Sequence, residues 1–141
     1  MLDIGSTLSS RKIAGENGRG DKGRTIFGIC SSLLATDAKG QQQIQLDFYI
    51  NPAEIGFKTV KDRRLCNLDI AIFHADKKGR ILNYDWKRLE GLLSEEDYNR
   101  ITKNGISFSI AVPVKPQTRV LRIVIFDEEG NNIGGKLVNL P

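Results

Sequence analysis

Short stretches in which apolar and polar residues alternate recur from residue 26 to the C-terminus, separated by turn-forming residues. The clearest is residues 43–50, where every second side chain is isoleucine, leucine or phenylalanine. A period of two places these side chains on one face of a strand and the polar ones on the other. The same alternation is seen at Cys66, Leu68, Ile70 and Ile72, and again at Ile106, Phe108, Ile110 and Val112.

The alternation and the turn signals between the stretches divide the chain into strands. Residues 37–40, 76–79 and 127–132 are turn candidates, and Pro52 and residues 113–116 interrupt the pattern further. The longest apolar runs, 68–73 and 121–126, are typical of central strands. Strands are predicted at 26–36, 43–50, 57–60, 66–73, 81–93, 106–112, 120–126 and 133–140, with an irregular period in 81–93.

One helix is predicted after residue 94. Ser94 is a favourable N-cap, and Asp97 three residues later resembles the second member of a capping box. Acidic residues 95–97 lie in the first turn, where the helix dipole favours negative charge. The pair Asn104-Gly105 supplies a C-terminal stop.

Many short strands with one short helix predict an all-β fold, an antiparallel immunoglobulin-like β-sandwich of about seven strands. A chain of 141 residues is long enough for one such domain with its own core. Residues 1–24 are rich in glycine, serine and charge, so they are predicted to be a flexible tail or linker. The sandwich domain is predicted to comprise residues 25–141.

The net charge of +4 is concentrated in two basic clusters. Residues 11–24 carry five basic and two acidic side chains, and residues 58–64 carry four basic side chains and Asp62. Surfaces that bind single-stranded nucleic acid interleave aromatic rings with such charges, and only Phe57 lies near either cluster. Both clusters are therefore expected to be solvated, and no nucleic-acid partner is expected. A basic nucleic-acid-binding domain is an alternative hypothesis.

The segment GRGDKGRT, residues 18–25, differs by one residue from the phosphate-binding pattern G-x-x-x-x-G-K-[ST]. Arg24 occupies the lysine position, and a planar guanidinium is not equivalent there to a compact ammonium. Polar residues precede the segment, and a β-like stretch broken by Gly28 follows it, whereas the motif requires a strand before and a helix after. A nucleotide-binding protein using this loop is therefore only an alternative hypothesis.

No arrangement of candidate catalytic or metal-binding side chains has a recognisable spacing. Cys30 and Cys66 are 36 residues apart, so two thiols are favoured over one disulfide, and His74 is interpreted as a strand-end residue. The acidic residues 127–129 fall in a turn, where solvation explains them. The sequence therefore predicts a protein that is not an enzyme, with no catalytic residue, no cofactor and no metal site.

Several segments resemble one known family. The stretch Leu68-Asp-Ile-Ala-Ile-Phe-His-Ala-Asp-Lys-Lys-Gly-Arg80 is similar to paired strands in the C-terminal part of the VWFA-related proteins typical of Acidobacteria. Residues 50–57, INPAEIGF, resemble the I-[DN]-P-x-[DE]-L-x-F segment of that region. Residues 94–98, 105–108, 113–116 and 121–127 are similar to its helix, strand, proline loop and final hairpin, in the same order, so the resemblance covers about residues 29–140.

The resemblance implies a non-catalytic β-sandwich that follows a von Willebrand factor type A domain in a longer, exported protein, either extracellular or in the cell envelope. The family's adhesion motif belongs to the upstream domain, so no metal ligand is implied here. No signal peptide is visible, and a signal is expected upstream. Cys30, Cys66 and Trp86 depart from the module, as does the basic tail.

The partner implied is a protein or the upstream domain of the same polypeptide. Binding is expected through loops or an edge strand, because an unpaired strand offers backbone donors and acceptors. No apolar run is long enough to predict a membrane span. Residues 43–50 are the predicted edge strand, with Gln43, Gln45, Asp47 and Tyr49 as the candidate interaction residues. The sequence does not specify the oligomeric state.

Overall fold

The computed structural model describes residues 2–3, 26–36 and 38–140. These residues form two β-sheets packed face to face. The strands in chain order are β1 (Leu2–Asp3), β2 (Phe27–Thr36), β3 (Gln42–Ile50), β4 (Lys58–Val60), β5 (Arg63–Ala75), β6 (Ile81–Leu93), β7 (Ile106–Val114), β8 (Val120–Asp127) and β9 (Asn132–Asn139). The helix α1 (Glu95–Asn104) connects β6 to β7, and a 3-10 turn (Pro52–Glu54) follows β3. The predicted strands and the predicted helix are all present.

The strand order is that of an immunoglobulin-like sandwich. The smaller sheet has the order β2-β3-β7, and the larger sheet has the order β1-β6-β5-β8-β9, with β4 also paired to β5. All pairs are antiparallel except β1 with β6. The order β2-β3-β7 corresponds to the strand order A-B-E of that fold. The order β6-β5-β8-β9 corresponds to its strand order C′-C-F-G. The predicted fold class is therefore confirmed.

The core lies between the two sheets and is built from the alternating side chains that the sequence pattern identified. Ile44, Leu46, Phe48 and Ile50 of β3 are buried, as are Leu68, Ile70 and Ile72 of β5. The ring of Phe48 stacks on that of Phe108, with centroids 4.8 Å apart and planes 5° apart. As predicted, the runs 68–73 and 121–126 belong to central strands, since β5 and β8 each have neighbours on both sides.

The helix begins and ends as its capping residues predict. The Ser94 hydroxyl accepts a hydrogen bond from the backbone N–H of Asp97, at 3.1 Å. Gly105 has φ of 87°, and its N–H donates to the carbonyl of Ile101. A side chain at Gly105 would meet the ring of Tyr49, because an ideal Cβ would lie 2.2 Å from a ring carbon. Glycine is thus required here both for the backbone conformation and for space.

The interpretation of β3 as an edge strand is wrong. β3 pairs with β2 on one side and with β7 on the other from Gln42 to Ile50, without interruption along β7 and with one irregularity in β2 between Leu33 and Ala35. Its backbone groups are therefore satisfied within the smaller sheet, and no further strand can be added to it. The edges of that sheet are β2 and β7.

The acidic residues 127–129 are interpreted from the sequence as solvated, and the structure differs at Asp127. Asp127 is fully buried, and its carboxylate accepts hydrogen bonds from the backbone N–H groups of Gly56 and Gly130, at 2.8 and 3.1 Å. It joins the loop before β4 to the turn between β8 and β9. A buried carboxylate needs such donors because it has lost its water shell, so Asp127 has a structural role.

The predicted tail lies largely outside the described residues. Leu2 and Asp3 pair with Leu89 and Glu90 at the edge of the larger sheet. The phosphate-loop-like segment 18–25 and the basic cluster 11–24 belong to the part of the chain that is not described. The mobility predicted for residues 1–24 stays a prediction.

Candidate interaction surface

The outward-facing side of the larger sheet is unusually apolar. Leu68, Ile70 and Ile72 of β5 point into the core and are fully buried, so residues 69, 71 and 73 lie on the opposite face. The registers of β6 and β8 against β5, and of β9 against β8, place three rows of side chains across this face. These are the Tyr84 row (Tyr84, Phe73, Arg122 and Leu137), the middle row (Trp86, Ala71, Val124 and Gly135) and the Arg88 row (Arg88, Asp69, Phe126 and Ile133).

We call these three rows together the apolar face. Its large side chains are well exposed: the exposed fraction is 65% for Tyr84, 57% for Trp86, 68% for Ile133 and 62% for Leu137. The ring of Phe73 lies beside that of Tyr84, with centroids 6.1 Å apart. Single exposed apolar residues are normal, but contiguous ones over four strands mark binding surfaces.

The middle row carries small groups on β5 and β9, and its large side chain, Trp86, lies at the β6 edge. Ala71 and Gly135 have minimal side chains, whereas the rows on either side carry the larger groups Phe73 and Phe126. Rows four residues apart along a strand are separated by about 13 Å. The space above Ala71, Val124 and Gly135 is therefore wide enough to admit side chains from a facing surface.

Charged groups on the apolar face are unevenly placed. One guanidinium nitrogen of Arg88 lies 2.9 Å from the carboxylate of Asp69 and 2.5 Å from that of Glu128. The Arg88 hydrogen bond lowers the pKa of Glu128, while desolvation raises the pKa of Asp69. Glu90 lies beside this cluster, opposite Asn67 in the β5–β6 register, so carboxylates outnumber guanidinium groups at this end.

Arg122 is the only charged side chain of the Tyr84 row. It is exposed, and its ladder neighbours are Phe73 on β5 and Leu137 on β9. Arginine among aromatic and aliphatic side chains is typical of the centres of protein interfaces. The apolar face thus has a basic end at Arg122 and an acidic end around Arg88.

The residues singled out from the sequence lie on the other side of the molecule. Gln43, Gln45, Asp47 and Tyr49 alternate along β3 on the outer face of the smaller sheet, half-buried. The carboxylate of Asp47 accepts hydrogen bonds from Gln45 Nε2, at 2.8 Å, and from Ser109 Oγ, at 2.5 Å. The structure therefore brings the four side chains to one face and engages several of them with neighbours.

The basic hairpin of β4 and β5 was expected to be solvated. Lys58, Lys61 and Arg63 are exposed, as expected. Arg64 instead places its guanidinium over the ring of Tyr98, 4.7 Å from the centroid, and Tyr98 meets Phe57 edge to face. Arg64 therefore helps to attach α1 to the larger sheet.

Sequence reasoning missed the apolar face, although β6 carried a signal for it. In the first half of β6 the usual alternation is inverted. The polar Asn83 and Asp85 lie on the core side together with the buried Leu89, whereas the aromatic Tyr84 and Trp86 face outward. This inversion makes the period of residues 81–93 irregular. A strand with aromatic residues at its outward positions, next to two strands with nearly continuous apolar runs, is the pattern that indicates an exposed apolar sheet face.

His74 is the penultimate residue of β5, in keeping with its interpretation as a strand-end histidine. It is fully buried, and its Nε2 lies 2.7 Å from the carboxylate of Asp85. Its Nδ1 has no hydrogen-bond partner among the described residues. The contact with Asp85 links β5 to the inverted part of β6 and thereby fixes the strand that carries Tyr84 and Trp86.

Cys30 and Cys66 are separate thiols, as the sequence favoured. Cys30 is half-buried on β2, opposite Asp47. Cys66 is fully buried in β5, and desolvation together with the nearby Asp127 raises its pKa to about 12. The two thiols therefore differ in both access and ionisation.

We expect alkylation by iodoacetamide at pH 8 to modify Cys30 while leaving Cys66 almost unmodified in the native protein. The thiolate is the reactive form, and a pKa near 12 reduces its population on the order of a thousandfold. Peptide mass spectrometry after a time course measures both sites. In urea the two rates should converge, and equal rates in the native protein would contradict the burial of Cys66.

Two further observations concern the described part of the chain. Residues 2–3, 26–36 and 38–140 contain no group of three or more histidine, cysteine, aspartate or glutamate side chains placed to hold a metal ion. Within the same ranges, no helix has the length and hydrophobicity needed to cross a membrane.

Comparisons with known proteins assign no family. No protein-family model matches the chain, and no curated protein matches it in sequence.

Proposed function

We propose that this chain is a non-catalytic, immunoglobulin-like interaction module that binds a protein partner through the apolar face of its larger sheet. The observation that carries the proposal is the exposure of Tyr84, Trp86, Ile133 and Leu137 on one continuous surface. Covering these side chains removes apolar area from water, which is the main favourable contribution to protein association.

The composition of the apolar face favours a protein over other partners. Trp86, Tyr84 and Arg122 belong to the residue types that contribute most to protein-protein binding. The aliphatic side chains of Val124 and Leu137 suit a partner that is itself apolar. A polar ligand would leave these aliphatic groups unmatched.

The alternative of nucleic-acid binding finds less support. The rings of Trp86 and Phe126 lie beside or within the Arg88 row, near the carboxylates of Asp69, Glu90 and Glu128, and these repel a phosphate backbone. The exposed basic hairpin around Lys61 has no exposed aromatic ring at its tip. The nucleotide-binding alternative depends on residues 18–25, which lie outside the described ranges.

The setting of the module is part of the proposal. The resemblance of residues 29–140 to the C-terminal region of VWFA-related proteins supports a place in an exported or cell-envelope protein, beside an upstream adhesion domain. An apolar face that docks onto a neighbouring protein or domain is consistent with that setting.

Photo-crosslinking tests the proposal. In one variant benzoylphenylalanine replaces Tyr84, and in the other it replaces Gln45, on the outer face of the smaller sheet. Both variants are produced in cells that naturally make the protein. We expect an adduct of defined mass from position 84 that disappears when Leu137→Arg is added. An adduct from position 45 alone, or none from position 84, would overturn the proposal.

A further inference from the structure

We infer that the partner of the apolar face is a second copy of this chain, so that two larger sheets pack face to face as a symmetric dimer. This inference rests on the proposed function and names the occupant of its surface. It follows from the size of the apolar face and from the distribution of its charges.

The apolar face is large enough for a specific dimer. Four strands about 4.8 Å apart give a width of about 19 Å. The sheet continues beyond the three rows to Val120 at one end and Glu90 at the other, which gives a length of about 27 Å. Two copies of the apolar face with these flanking rows together present about 1,000 Å² of projected area, which is at the threshold for a specific interface.

The charges of the apolar face complement those of an inverted second copy. Arg122 lies at one end, and at the other Asp69 and Glu128 pair with Arg88 while Glu90 lies two residues further along β6. A symmetric interface places the same patch on both copies. An antiparallel arrangement sets Arg122 of each copy over the acidic end of the other, whereas a parallel arrangement would set like charges together.

The middle row defines the position of the twofold axis. With the axis along Ala71 and Val124, each strand faces its counterpart, and the Tyr84 row of one copy covers the Arg88 row of the other. Leu137 then meets Ile133 of the second copy, and Arg122 meets Phe126 and Asp69 of the second copy. Trp86 meets Trp86 of the second copy at the β6 end of the axis, and the small Ala71 and Gly135 leave room for the larger side chains of the flanking rows to interdigitate.

Sedimentation velocity of the full chain from about 1 to 100 μM measures the association. We expect a species of twice the chain mass of 15.7 kDa, and a weakening of its formation by at least about tenfold for Leu137→Arg, because an arginine replaces an apolar contact at two symmetric places. Leu33→Arg is the matched control, since Leu33 is a leucine of similar exposure (53%) on β2 of the smaller sheet. It should leave the dimer unchanged.

The charge arrangement has its own test. Arg122→Glu should weaken the dimer about as strongly as Leu137→Arg, and Arg122→Lys should retain most of it. Circular dichroism of each variant checks that the fold is kept. Equal weakening by Leu33→Arg, or no effect of Arg122→Glu, would overturn the inferred arrangement.

The outcomes separate this inference from the proposed function. A monomer at all concentrations, with a position-84 adduct of a mass other than twice that of the chain, overturns the dimer and leaves the interaction module standing. A monomer that also gives no adduct overturns both. A dimer with an adduct of twice the chain mass supports both.

Discussion

Replacing Asp127 with alanine is expected to lower the free energy of unfolding by about 3–5 kcal/mol. The carboxylate is fully buried and accepts hydrogen bonds from the N–H groups of Gly56 and Gly130. Each hydrogen bond to a charged group contributes about 1.5–3 kcal/mol, and its loss leaves a backbone donor without an acceptor in a buried site. Urea unfolding followed by circular dichroism measures the change.

Two further variants define the cause of that loss. Asp127→Asn keeps one acceptor oxygen but turns an amide NH₂ toward the other donor, so its effect should be intermediate. Asp62→Ala removes an aspartate from the exposed turn between β4 and β5 and should change stability by less than about 0.5 kcal/mol. A loss at Asp127 no greater than that at Asp62 would contradict its role as an anchor.

Gly56→Ala is expected to destabilise the protein by about 3–5 kcal/mol, for a different reason. An ideal Cβ at this position would lie 2.5 Å from the backbone nitrogen of Gly130 and 2.7 Å from the carbonyl carbon of Glu129. Backbone atoms cannot rotate away as a side chain does, so the β8–β9 turn must shift. That shift also lengthens the hydrogen bond from Gly56 to Asp127.

Gly79→Ala is the control for this substitution. Gly79 has φ of +84°, but nothing lies within 4 Å of an ideal Cβ there. Its replacement should cost only about 1–2 kcal/mol, from backbone strain alone. Thermal and urea unfolding of both variants compare the two costs, and a Gly56→Ala variant as stable as Gly79→Ala would show that the turn moves freely.

The fold could be predicted because burial on one face leaves a periodic trace in the sequence. The alternation around Phe48 and around Ile70 identifies strands that face a core, and Ser94 with Gly105 delimits the only α-helix among the described residues. These signals are local, since each depends on residues within a few positions of one another. Sheet order follows from them only through the general preference for sandwich topologies.

The central position of β3 in its sheet could not be read from such local signals. Residues 43–50 alternate in the same way whether the strand has one neighbour or two, because alternation reports burial of a face and not pairing of the backbone. The partner on the second side, β7, begins 56 residues after the end of β3 (106 − 50). Pairing over that distance leaves no mark in the segment itself.

The apolar face and Asp127 were hidden for related reasons. Exposed Tyr84 and Trp86 look like core residues in a sequence, because their type does not tell which sheet face they occupy. Asp127 looks like a solvated turn residue, because its hydrogen-bond donor Gly56 lies 71 positions away. In both places, whether a side chain is exposed or buried depends on its neighbours in three dimensions, and those neighbours are distant in the chain.

The order in which the chain visits the two sheets has a consequence for how it folds. β2 and β3 build one sheet, β4 to β6 the other, β7 returns to the first, and β8 and β9 complete the second. Neither sheet is therefore encoded by a contiguous piece of the chain, and a cut at any loop from residue 51 to residue 119 divides at least one of them. Such interleaving makes partial structures poor in buried contacts, so loss of one sheet entails loss of the other and the domain should unfold in a single cooperative transition.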